Sequence, residues 1–137
     1  MEMGADKVVN SSREGAEDAL KEASQNRLFA VLDTFGSGDT GTLAVSAMTK
    51  AGRYVVVGQH GGDFTLPQIW LPQKALTVRG SHVGNSPQLR ALIDMYKHGK
   101  LKPIPVEVRP LAQINEAIDD LQAGRVTGRI VLDPQKS

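Results

Sequence analysis

Three glycines in 32-LDTFGSGDTG-41 fall at Gly36, Gly38 and Gly41, the spacing G-x-G-x-x-G. That spacing can do a defined job. Glycines permit a tight turn and let backbone approach a phosphate, while the N-terminus of the following helix favours negative charge. The local order fits, because the apolar run 28-LFAVLD precedes the turn and a helical pattern follows it. A cofactor turn of this kind also needs an acidic residue about 20 positions on, at the end of the next strand, to hold ribose hydroxyls. Here the next apolar run, 54-YVVVG, leads into Gln59 and His60, and no carboxylate follows until Asp63, out in a loop. An ordinary strand-to-helix turn built from the glycines, Ser37 and Asp39, or a secondary contact to a nucleotide, therefore fits better than a primary phosphate fingerprint.

Other chemistries find little support. The chain has no cysteine, which removes disulfides, thiolate metal sites and a cysteine nucleophile together. His60, His82 and His98 are dispersed, with no pair four apart on one helix face, so no metal site is expected. No Ser-His-Asp set has a supporting local motif, and no catalytic residue is assigned. The formal net charge of +1 gives no basic patch for nucleic acid and no acidic tail. No apolar run approaches the roughly 20 residues of a membrane span, and MEMGADKVVNSS lacks an apolar signal segment. A soluble cytoplasmic protein with neither nucleic-acid nor membrane partners is the expectation.

The elements that must position the turn alternate. A short β-like run, 7-KVVN, is followed by Ala16, Ala19, Leu20 and Ala23 at helical spacing. The run 28-LFAVLD reads as a strand buried on both faces. Leu43, Ala44, Ala47, Met48 and Ala51 mark a second helix with Gly52 as its stop, and 54-YVVVG is another buried strand. This β-α-β-α-β order favours a parallel sheet. After a long loop, 59-QHGGDFTLPQIWLPQK, come a strand at 75-ALTVRG and a helix started by Ser86-Pro87 and ended by Gly99. The closing pieces are a strand at 105-PVEVR, a helix carrying Leu111, Ile114, Ile118 and Leu121 and ended by Gly124, and a strand at 128-GRIVLD.

VLDTFGSGDTG also resembles the nucleotide-binding turn of S-adenosylmethionine-dependent methyltransferases, Asp-x-Gly-x-Gly-x-Gly. Its spacings differ, however: two residues separate Asp33 from Gly36, and two separate Gly38 from Gly41. A whole-chain likeness is broader. The pieces 4-GADKVVN, 30-AVLDTFG, 52-GRYVVVGQHGG, 78-VRGSHVGN and 100-KLKPIPVEVRPLAQINEAIDDLQAGRVTGRIVLDP, in this order, resemble the C-terminal half of zinc-type, medium-chain NAD(P)-dependent alcohol dehydrogenases.

The resemblance implies an α/β fold: a truncated doubly wound, Rossmann-like, mostly parallel sheet with flanking helices, lacking its first two strands. It implies a single partial nucleotide-binding domain over 1–137, with a Rossmann-type part over about 1–99 and a closing strand-helix-strand segment over about 100–137. In such a domain 7-KVVN is the third strand, 28-LFAVLD the fourth, 54-YVVVG the fifth and 76-LTVRG the sixth. The phosphate-binding turn of the family then lies upstream of this chain, and GSGDTG is a look-alike after the fourth strand. Phe35 and Gly36 would approach the adenosine half of the cofactor. Val57, Gly58 and Gln59 would border the nicotinamide side. Ser81, His82 and Val83 would offer backbone groups to the carboxamide, and Arg129 would reach the pyrophosphate as a fork of donors.

The implied cofactor is NAD, with NADP not excluded, and the zinc of the full-length family has no ligands in this chain. The implied function is a portion of an NAD(P)-dependent oxidoreductase acting on alcohols, contributing part of the nicotinamide site and not turning over by itself. Exposed sheet edges imply a homo-oligomer joined through 76-LTVRGSHV, or association with the missing N-terminal half. The alternatives are a stand-alone, non-catalytic dimerising or nucleotide-sensing module beginning at Met1 or Met3 and, more remotely, a methyltransferase-like domain.

Overall fold

In the computed structural model, which describes residues 4–136, the chain divides between Asn85 and Ser86 into two compact units, each with its own parallel sheet. The possible starts Met1 and Met3 lie outside the described residues. Among the described residues no helix is long and apolar enough to cross a membrane.

The first unit holds α1 (Ala16–Ala23), β1 (Ala30–Asp33), α2 (Gly38–Ala47), β2 (Arg53–Val56), α3 (Trp70–Lys74) and β3 (Thr77–Gly80). The strands lie in the order β1-β2-β3, all parallel, with Asp33 beside Val56 beside Gly80. Side chains alternate across a strand, so Val31, Tyr54 and Val78 share one face with Asp33 and Val56. That face is the core. Tyr54 and Val45 are fully buried, Ala44 and Met48 nearly so, and Leu28, Phe64, Leu66, Trp70 and Leu76 pack around them. The cover comes from α2 and the stretch that follows β2. The opposite face carries Leu32, which is 66% exposed, with Arg53 and Arg79. The continuous apolar runs therefore do not mark strands buried on both faces: in the first unit only one face of the sheet is packed. Along the outer edge of β1 a hollow of about 410 Å³ is lined by Leu20, Leu28, Leu32 and Leu43.

The second unit holds α4 (Ser86–Lys97), β4 (Val106–Pro110), a 3-10 turn (Leu111–Gln113), α5 (Ile114–Gln122) and β5 (Arg129–Asp133), with β4 and β5 parallel. Gly99 and Gly124 end α4 and α5 in left-handed conformations, as their positions predict. Arg109 on β4 ties the unit together. It donates to Asp120 on α5 at 2.7 Å and to Glu107 at 2.7 Å, while Arg125 takes the other oxygen of Asp120 at 2.8 Å.

Three further expectations change. The run 7-KVVN is not a strand: Val8 is 73% exposed and no neighbouring strand pairs with it, and an isolated extended run has no ladder to complete. The second helix ends at Ala47, five residues before Gly52, because Met48 is already extended (ψ 140°) and Ala51 takes the left-handed turn at φ 60°. The long loop contains the short helix α3, where Lys74 sits 4.5 Å over the Trp70 ring and donates to the Val45 carbonyl.

This packing separates substitutions by face. Met48→Ala should cost the first unit about 2–5 kcal/mol, whereas Leu32→Ala should cost less than about 0.5 kcal/mol. Urea unfolding followed by the fluorescence of Trp70, which packs on the same core, measures both.

Candidate functional site

The carboxyl ends of β1, β2 and β3 lie side by side, because the three strands are parallel and in register through Asp33, Val56 and Gly80. Phe35 and Gly36 follow β1, Val57 to Gln59 follow β2, and Ser81 to Val83 follow β3. Eight of the nine predicted site residues thus stand along one end of one sheet. The ninth, Arg129, begins β5 in the second unit, exposed, its amide donating to the Pro105 carbonyl at 2.9 Å.

The frame of this end is Asp33, a residue that motif reading did not select. It is 7% exposed and none of the ion pairs among the described residues includes it. Each carboxylate oxygen instead accepts two bonds. Oδ1 takes the amides of Phe35 at 3.0 Å and Gly36 at 2.8 Å; Oδ2 takes the hydroxyls of Thr40 at 2.7 Å and Tyr54 at 2.8 Å. Thr40 is also half of a capping box. Its amide donates to the Ser37 hydroxyl at 3.1 Å and its hydroxyl accepts the Ser37 amide at 3.0 Å. One side chain therefore joins the end of β1, the first turn of α2 and the middle of β2. Burial alone would push the Asp33 carboxyl up, but the bonds from Thr40, Gly36, Tyr54 and Phe35 outweigh it and hold it below the ordinary value. Burial, and then the bond to Asp33 and its charge, push the Tyr54 phenol up to about 12.

The glycines of the turn face this chain's own atoms. Gly36 has φ 72°, and a methyl group on it would overlap the Gly58 carbonyl. A methyl on Gly58 would overlap the Phe35 carbonyl, one on Gly38 the Asp63 carbonyl, and one on Gly41 would come 2.8 Å from the Phe64 ring. The spacing G-x-G-x-x-G serves here to bring the stretch after β2 against the turn after β1. The two segments run on together beyond the strands: the His60 amide donates to the Phe35 carbonyl and the Gly61 amide to the Gly36 carbonyl, both at 3.1 Å. Above these bonds the Phe35 ring and the His60 imidazole stack with centroids 4.2 Å apart. A hollow of about 400 Å³ opens beside Phe35, lined also by Ser11, Ser12, Ser37, Asp39 and Thr40. Its polar lining is hydroxyls and one carboxylate.

Beyond β3 the Ser81 amide donates to the Val56 carbonyl at 2.8 Å, which carries the chain past the sheet. His82 and Val83 are exposed, and Val83 has φ 31°, a conformation that β-branched residues rarely adopt. Among the described residues no three His, Asp or Glu side chains are grouped to hold a metal ion, so the residues present do not fit a zinc centre.

The signal for Asp33 is present in the sequence in retrospect. It is an acidic residue closing an apolar strand, with Tyr54 placed among valines, and a buried phenol needs a partner.

The chain is similar to known proteins over nearly its whole length. The family model for zinc-binding dehydrogenases matches residues 3–132. An NAD-dependent alcohol dehydrogenase of Sulfurisphaera tokodaii is 31% identical over 132 residues, 96% of this chain and 38% of that protein. One from Sulfolobus acidocaldarius is 32% identical over 133 residues, 95% of this chain and 38% of the relative. The crystal structure of the alcohol dehydrogenase from the hyperthermophilic archaeon Aeropyrum pernix superposes with a TM-score of 0.85 at 30% identity, covering 96% of this chain and 38% of that one. The chain thus spans little more than a third of the length of these relatives.

Gly36→Ala should destabilise the first unit by about 2–5 kcal/mol, because left-handed strain adds to overlap with backbone. Gly15→Ala, also at positive φ but with open space around it, should cost only about 1–2 kcal/mol; urea unfolding separates the two. The lock also sets pH limits. The raised Tyr54 pKa means its contribution is complete below the ordinary tyrosine value of about 10 and is lost as pH rises from there toward about 12. The lowered Asp33 pKa places its own loss on the acid side, below the ordinary carboxylate value. In a pH series of unfolding curves, Tyr54→Phe should abolish the alkaline loss and leave the acid loss in place.

Proposed function

The chain belongs to the zinc-binding dehydrogenase family, and we propose that it contributes part of the nicotinamide-cofactor site of an NAD(P)-dependent alcohol dehydrogenase, an oxidoreductase that moves a hydride between an alcohol or aldehyde and the cofactor. The observation that carries this reading is the alignment of three carboxyl strand ends in one parallel sheet. In open α/β sheets ligands settle outside that end, and the residues with family roles stand there. On this reading Phe35 and Gly36 border the adenosine half, Val57 to Gln59 the nicotinamide side, and the Ser81 to Val83 backbone the carboxamide. Arg129 supplies a guanidinium for the pyrophosphate. The glycines of GSGDTG do not hold the phosphates, because their open sides are filled by Gly58, Asp63 and Phe64. On this reading the chain binds and orients cofactor, and among the described residues no side chains are grouped to hold a zinc ion. NAD is the proposed cofactor, supported by relatives named as NAD-dependent enzymes.

The proposed partner is a second copy of the chain, joined through β3 and the residues after it, with the upstream half of a longer dehydrogenase as the other candidate. Two features support association. Among the described residues β3 pairs only with β2, and all four of its residues are exposed. Such an edge is a template for another strand.

Titrating the isotope-labelled chain with NADH should move the amide signals of Phe35, Gly58 and Ser81. A dispersed spectrum unmoved at millimolar NADH would reject the cofactor reading. Sedimentation at tens of micromolar should show a dimer or larger species; a monomeric wild-type chain would reject self-association.

A further inference from the structure

We infer that Asp33 is a positioning residue: by holding the turn after β1 from below, it keeps the Phe35 ring and the His60 imidazole stacked at the carboxyl ends of β1 and β2, with the outer face of the stack offered to a heteroaromatic ring of the ligand. The inference deepens the cofactor reading and rests on it for the identity of that ligand.

The geometry makes Asp33 the common anchor of both turns. Its side chain accepts the amides of Phe35 and Gly36. Its main-chain carbonyl accepts the amides of Val57 and Gly58, at 2.8 and 2.9 Å. The turn bearing Phe35 and the turn leading to His60 are thus held by one residue from two directions. The aromatic pair has little other support. Phe35 is 55% exposed and His60 is exposed, so core packing does not fix either ring. What fixes them is backbone: the bond from the His60 amide to the Phe35 carbonyl, and the tether of the Phe35 amide to Asp33. Thr40 and Tyr54 in turn orient the carboxylate, so that Oδ1 points at the turn. A flat ring binds a pre-ordered stacked face at less entropic cost than two free rings. Loss of the anchor should therefore act on affinity through the fraction of time the face is formed.

The test uses the full chain without ligand first. In wild type, the His60 ring protons should resonate upfield of free histidine because of the Phe35 ring, and Phe35→Leu should abolish that displacement. Asp33→Asn keeps the shape but replaces one acceptor oxygen with a donor. With amide signals of β2, β3 and the C-terminal half of α2 still at folded positions, it should return the His60 ring protons toward free values. It should also weaken NADH binding about tenfold, as expected if the face is formed about a tenth of the time. A folded Asp33→Asn chain whose His60 protons stay at wild-type positions would overturn the inference. If Asp33→Asn does not fold, the double variant Thr40→Val, Tyr54→Phe, which strips both donors from Oδ2 and keeps the carboxylate, decides in the same spectrum. Loss of the displacement supports the positioning role; its full retention rejects it. Failure of wild type to bind NADH would remove the cofactor reading alone, since the His60 signal reads the face with no ligand present.

Discussion

A single buried carboxylate sets the terms for the first unit. Taking a charge out of water is costly unless its lone pairs are met, and Asp33 meets them with four neutral donors and no cation. The balance of the two effects is visible in the direction of its pKa: desolvation pushes the carboxyl up, yet the bonds win and the net shift is down. Four donors converging on one group leave little freedom to what carries them. Two are amides of the turn itself, one is the hydroxyl in the first turn of α2, and one is a phenol from the neighbouring strand. Removing any of them strands a lone pair in the interior, where an unmet group costs about 1–3 kcal/mol. The network behaves as a unit for that reason.

The close approach of the turns follows from the same residue. Asp33 also accepts the Val57 and Gly58 amides on its main-chain carbonyl, so the segment after β2 must lie against the segment after β1. Side chains at the crossing would forbid this, and glycine stands at both crossing points, Gly36 and Gly58. The familiar spacing in GSGDTG is thereby explained without a phosphate. Gly36 clears a carbonyl, Gly38 another, and Gly41 an aromatic ring. Even the negative charge that a helix N-terminus attracts is already present beneath it, as Asp33 bonded to Thr40 in the first turn of α2.

Much of the fold was legible because strand runs and helix stripes carry their own periodicity. The runs at 28, 54, 75, 105 and 128 all contain strands, and Gly99 and Gly124 end their helices. What was not legible depended on partners distant in the chain. The run 7-KVVN has strand composition, but a strand exists only beside another, and composition does not supply the neighbour. The spacing of Ala47, Met48 and Ala51 suits a helix, yet the Met48 side chain is needed in the core next to Tyr54 and the backbone turns extended there. Of the candidate site, the positions at the strand ends could be read by analogy. The hub could not, because Asp33, Thr40 and Tyr54 stand at separations of 7 and 21 residues with no recurring motif to join them.

The frame of the site and its cover are separate physical problems. Parallel sheets ordinarily bury both faces, whereas here Leu32, Arg53 and Arg79 look out from one side, and among the described residues neither outer strand has a further strand beside it. On the proposed reading, that bare surface is met by a second copy or by the remainder of a longer dehydrogenase. The hub makes no such demand. Every donor to the Asp33 carboxylate comes from residues 35 to 54, and its carbonyl takes the amides of Val57 and Gly58 just after β2, so the turns after β1 and β2 are shaped from within one β-α-β unit. A partner would then change how much of the sheet is covered without having to build the edge where the cofactor residues stand. A chain spanning 38% of the length of its relatives can thus hold these turns at the strand ends while leaving much apolar surface open.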